Sequence, residues 1–199
     1  MTRLSPLTIT ASLLLIGCQE KTSDTGDSDQ VIQNDDTDTY RFDLTEELTN
    51  PSGCADFVFF DRNDADTLSI EISGSGLAEA AHIAGEPVSI SYDLADLPDD
   101  ITVEHLTGAH LTHSLCNDAL DPAIETQIED IFVPVSGTLT LIATPDGEAT
   151  DWGELPTELE VTIEVSDFCA EIGDGETHHE NCFNVNEYSA SANIGWLQG

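Results

Sequence analysis

ELEVTIEVSDF, residues 158–168, alternates between apolar and polar side chains. Leu159, Val161, Ile163 and Val165 share one parity, with Glu160, Thr162 and Glu164 on the other. Side chains of a strand project alternately to its two faces, so this stretch predicts a strand with one dry face and one wet face. That pattern belongs to antiparallel sheets that cover a core on one side.

The same period recurs on both sides of this stretch. FVFF (57–60), TLSIEIS (67–73), PVSISYDL (87–94), ITVEHL (101–106), LTHSLC (111–116), VSGTLTLIAT (135–144) and NEYSASANIGW (186–196) all read as strands. In TLSIEIS the apolar face is Leu68, Ile70 and Ile72. TPDGEATDWGELP (144–156) reads as a long hairpin connection around Asp146-Gly147. GLAEAAHIAGE (76–86) is alanine-rich and bounded by glycines, and DPAIETQIEDI (121–131) opens with Asp121-Pro122, an N-cap and N1 pair. Both predict short helices. The expected fold is an all-β antiparallel β-sandwich with one or two short helical insertions, occupying residues 40–199 as one domain. Most aromatic residues lie on strands (Phe57, Phe59, Phe60, Phe168, Trp196) and are expected in the core, with Trp152 packed over one end.

Upstream the chain changes character at a cysteine. Arg3 is the one charge before Cys18, and Leu7 to Ile16 is mostly apolar. A run of that length is too short for a bilayer core of ~30 Å but suits a signal peptide. Residues 19–39, QEKTSDTGDSDQVIQNDDTDT, have the acidic, small-polar composition of a flexible linker. Leu15-Ile16-Gly17-Cys18 resembles the bacterial lipobox, the cleavage and lipidation site of exported lipoproteins. The resemblance implies a signal peptide over 1–17, cleavage after Gly17, lipidation of Cys18 and a tether over 18–39. Several acyl chains would anchor the chain stably where one would not. Gln19 in place of aspartate implies the outer membrane in this family. A linker of that length holds its domain roughly 25 Å from the anchor. Taken whole, the 54–199 pattern resembles small uncharacterised β-sandwich lipoproteins of bacteria, which implies a cell-envelope location and leaves the activity open.

The chain carries 4 Lys and Arg against 40 Asp and Glu, a formal charge of −36. Without residues 1–17 it keeps Lys21, Arg41 and Arg62 against the same 40 acids, or −37. Such a surface repels phosphate backbones, which excludes nucleic acid as a partner. It also repels anionic lipid heads, so the acyl anchor is the expected membrane contact, with an envelope or extracellular partner beyond it. The acids read as a salt-adapted solvated surface; the alternative is acids gathered around divalent cations.

Of the 5 cysteines, Cys18 is assigned to lipid, which leaves Cys54, Cys116, Cys169 and Cys182 for two disulfides. Three pairings are open. The short loop AEIGDGETHHEN favours Cys169–Cys182, and Cys54–Cys116 follows. No CxxC occurs, which argues against a redox dithiol or a zinc knuckle.

No catalytic motif is complete. ISGSG (72–76) lacks the first glycine of a nucleophile elbow, and GSGLAE (74–79) has two of the three glycines of a dinucleotide loop. HHENC (178–182) places Phe183 where a zincin needs its second histidine. DRNDAD (61–66) brings Asp61, Asp64 and Asp66 together off the register of a calcium loop; a weak Ca²⁺ site there is the alternative to a solvated turn. Asp174, Glu176, His178, His179 and Glu180 crowd one loop with ligand types that suit Zn²⁺. His105, His110 and His113 lie close in sequence; the expectation is one core histidine, His113 by parity with Leu111 and Leu115, and two surface ones. The leading functional expectation is therefore a non-enzymatic, lipid-anchored envelope protein that binds or builds, without a cofactor. The alternative is a metal-dependent envelope protein, including a hydrolase, using loop 174–180 or the three histidines.

Overall fold

The computed structural model describes residues 47–116, 121–172 and 176–196, with the backbone alone for 172 and 176–180. Its strands are β1 (Ser52–Cys54), β2 (Val58–Arg62), β3 (Leu68–Ser73), β4 (Val88–Asp93), β5 (Thr102–Ala109), β6 (Gln127–Pro145), β7 (Thr157–Ile172) and β8 (Glu176–Ile194). All join one antiparallel sheet in the order β1-β2-β3-β5-β6-β7-β8, curled as a half-barrel. The sheet forks at β6. Its first part pairs with β5, and its second part, Thr138 to Ala143, pairs with β4 on the same side.

β6 and β8 have 19 residues each and β7 has 16. A straight 19-residue strand would run ~60 Å, beyond the roughly 40 Å width of a domain this size. These strands bend, and the bend is written in their burial. In β6 the inward parity passes from Phe132 to Leu139, Leu141 and Ala143. In β7 it passes from Leu159, Val161 and Ile163 to Ser166 and Phe168, and in β8 from Phe183 and Val185 to Tyr188 and Ile194. The three switches align, because Thr138 pairs with Glu164 and Glu164 with Glu187. A bulge sits on that line, with Gly137 at φ 111° and Val165 at φ 47°. A Cβ on Gly137 would stand 2.7 Å from Ser166 Cα, so the crossing requires glycine. Bulges add twist and bend, and here they fold one sheet over its own core. Val165, expected on the dry face, is 74 % exposed because the bulge rotates it outward.

The outer strands of the order come back together. The Ala55 N–H donates to Trp196 O (2.9 Å) and the Gly195 N–H to Ala55 O, which ties the end of β1 to the end of β8. Such ties limit the exposed backbone of edge strands. Helix α1 (Leu77–Ala84) packs Leu77, Ala78 and Ala81 into the same core as Phe57, Phe59, Ile70, Ile72, Leu139 and Ile163. Its N-cap, Gly76, offers no side chain; the Asp56 carboxylate instead accepts from the Gly76 and Glu79 N–H groups.

Three other expectations change. Residues 111–114 form a turn rather than a strand. His110 at φ 55° leaves β5, and Asp66 Oδ1 takes both the N–H (3.1 Å) and the hydroxyl (3.0 Å) of Thr112, so these groups never meet a ladder. Residues 121–131 hold no helix: the Asp121 side chain accepts from the Ala123 N–H (2.9 Å) in a tight turn, and β6 begins at Gln127. Local Asx bonding and strand pairing together outweigh the capping signal. The tryptophans lie outside the core: Trp152 is 83 % exposed, standing on the 144–156 connection rather than packing over an end, and Trp196 is 44 % exposed just past the end of β8.

Candidate functional site

The three acids of DRNDAD do not converge. Asp61 lies inside the half-barrel, 1 % exposed. It accepts from the Tyr188 hydroxyl (2.9 Å) and from the N–H groups of Asn50 (2.7 Å) and Arg62 (2.8 Å). Burial raises its pKa above the usual carboxylate value, against those donors. Asp64 accepts from the Asn50 side-chain amide (3.0 Å), and Asp66 from Thr112. Asn63 Oδ1 closes the turn by accepting from the Thr67 (2.9 Å) and Leu68 (3.3 Å) N–H groups.

These carboxylates brace the walls of a cleft. It measures about 370 Å³ and is lined by Asn50, Ser52, Phe60, Arg62, Thr112 and His113, among others. One wall is the segment before β1, held at Asn50 by Asp61 and Asp64. The opposite wall is the turn after β5, held at Thr112 by Asp66. The Cys54–Cys116 disulfide joins the two segments near their ends. Arg62, on β2, is the sole lysine or arginine among the described residues. In the sequence Arg62 stands out as one of two basic residues, with Arg41, in the acidic stretch 40–199; that it faces a cleft is not visible there, because the second wall, 111–116, alternates like a strand.

The histidines separate. His105 is 0 % exposed and packs against Phe183 (centroids 5.2 Å apart) and Phe132 (5.9 Å). Burial lowers its pKa to about 4, with a smaller opposing effect from a backbone hydrogen bond at Ser69. It, and not His113, is the core histidine. His113 lines the cleft and His110 is exposed. Among the described residues no group of three His, Cys, Asp or Glu side chains is placed to hold a metal ion. The side chains of Asp174, Glu176, His178 and His179 lie outside the described residues.

On the outer face of β3 and β5, Glu71 pairs directly with Glu104. Burial lifts Glu71 from 4.5 to about 7, with the charges of Glu104 and Asp66 adding to it and the Ser69 hydroxyl opposing it. Burial and then the Glu171 charge raise Glu104. The second disulfide, Cys169–Cys182, bridges directly paired residues of β7 and β8. No protein-family model, no curated protein and no solved structure matches this chain.

Proposed function

We propose that this chain is a lipid-anchored binding module of the cell envelope, held at the outer membrane through Cys18 and carrying its half-barrel on the 18–39 tether. The observation that carries the reading is Leu15-Ile16-Gly17-Cys18 at the end of an apolar run, followed at once by an acidic spacer. Cysteine chemistry supports it. Of 5 cysteines, the two disulfides use four, which leaves Cys18 as the one thiol for lipid. Disulfides persist in oxidising compartments, where an exported domain resides. The same reading takes the folded-over sheet as a sandwich made from one sheet, since strands that turn a corner at a bulge are how such layers connect.

Expression in a bacterial host with labelled fatty acid tests the anchor. The wild-type chain should incorporate label and sediment with membranes. Cys18→Ala should do neither, and normal incorporation into that variant defeats the proposal.

A further inference from the structure

We infer that the cleft at Arg62 binds a small organic carboxylate, with the guanidinium holding the carboxylate and Phe60 and its apolar neighbours holding the body of the ligand. Four observations lead there. Arg62 is the sole Lys or Arg of the described residues, and it lines a recess instead of standing on the open acidic surface. Beside it lie the Ser52 hydroxyl and the apolar surfaces of Pro51, Phe60 and Leu115, while the Thr112 hydroxyl and the Asn50 amide are engaged by Asp66 and Asp64. More of the recess surface is polar than apolar, so a ligand there is held mainly at its polar end, with Phe60 and its neighbours adding a smaller apolar contact. The walls are fixed before any ligand arrives, because Asp61, Asp64 and Asp66 each hold a wall residue and a disulfide ties the walls together. A site organised in advance loses less entropy on binding.

The chemistry selects a single carboxylate. A guanidinium presents a planar fork that matches two carboxylate oxygens. One cation cannot neutralise a phosphate dianion, and the formal charge of −36 makes each further negative charge costly. The ligand must therefore carry little charge and gain the rest of its affinity from contact.

The test is NMR titration of the full chain, reading the Arg62 Nε–H signal, assigned by its loss in Arg62→Gln. The probes are benzoate, with an apolar body, glucuronate, with a hydroxylated one, and inorganic phosphate, all at pH 7 and matched ionic strength. At least one carboxylate should shift the signal saturably, and which of the two does so names the body the cleft accepts. Arg62→Gln, followed through the Thr112 amide, should weaken binding at least about tenfold, the scale of a lost charged hydrogen bond. Ser52→Trp, which keeps Arg62 and fills the mouth, should abolish it. The inference is overturned if neither carboxylate saturates, if Arg62→Gln with an unchanged melting temperature binds as tightly as wild type, or if phosphate binds as tightly as the better carboxylate. It concerns the cleft alone, so its failure leaves the anchor reading, tested at Cys18, where it stands.

Discussion

The Tyr188 hydroxyl on β8 donates to Asp61 Oδ2 on β2 at 2.9 Å, spanning 127 residues of sequence inside the half-barrel. This bond joins two strands that are not neighbours in the sheet. Both residues are buried, so neither group can exchange its partner for water. Losing one donor to a buried acceptor costs ~1–3 kcal/mol. Tyr188→Phe should destabilise by that amount in urea unfolding. A double-mutant cycle with Asp61→Ala, which removes the acceptor, should give a coupling of about 1 kcal/mol or more. Additive effects would show that the bond contributes nothing of its own.

Two buried titrating groups oppose one another in their pH dependence. Glu71 holds its proton up to about 7 in the folded chain, against an ordinary 4.5. Between these values the folded state binds more proton than the unfolded one. Its contribution is therefore complete below 4.5 and declines as pH rises to about 7. Glu71→Gln should remove that decline and stabilise the domain at pH 8 by roughly 2 kcal/mol, below the ~3 kcal/mol ceiling because part of the Glu71 side chain stays in contact with solvent.

His105 acts in the other direction. Its pKa is lowered to about 4 from an ordinary 6.5, so the unfolded chain takes up the proton first as pH falls. Its contribution is complete above 6.5 and is lost as pH falls through about 4. In a histidine-resolved NMR titration, the His105 ring should stay neutral at pH 5.5. A ring that is half protonated there would contradict its packing between Phe132 and Phe183.

Removing the Cys54–Cys116 bridge as a double alanine variant should cost ~2–5 kcal/mol, the usual cost for a native disulfide in a small exported domain. The loss should also disturb the cleft, since the bridge joins segments bearing Ser52 and Thr112. Amide shifts at Thr112 that exceed those at Leu159 would locate the effect. Uniform changes would make the bridge a global staple only.

Strand periodicity was readable wherever both partners are regular. Ile70, Ile72, Leu159, Val161 and Ile163 lie inside as their alternation requires. It failed at Val165, because a bulge is set by Gly137 on the neighbouring strand, and no local pattern in β7 records a partner's φ. It failed again at 111–116, where an alternating run is claimed by Asp66, 46 residues away, before any strand can pair with it. The acids at 61–66 were visible as a cluster. Their separate destinations, Tyr188, Asn50 and Thr112, depend on tertiary contacts and were not.

Those destinations decide what the acidity should do. If Asp61, Asp64 and Asp66 formed a cation cage, added calcium would stabilise the domain along a saturable curve, worth ~2.7 kcal/mol at a hundredfold excess over Kd. Here each carboxylate already has donors, and Asp61 is closed to solvent. The remaining acids repel one another across the surface, and salt screens that repulsion as the Debye length falls from ~30 Å at 0.01 M to ~3 Å at 1 M. Sodium chloride should therefore raise the melting temperature steadily over that range, and calcium at matched ionic strength should add little. Asp64→Asn should leave both responses unchanged, because Asn can still accept from the Asn50 amide. A sharp calcium transition that Asp64→Asn abolishes would show that the loop opens to hold an ion. Zinc analysis of the dialysed chain completes the comparison, since stoichiometric metal without a calcium response would point to the 174–180 loop instead.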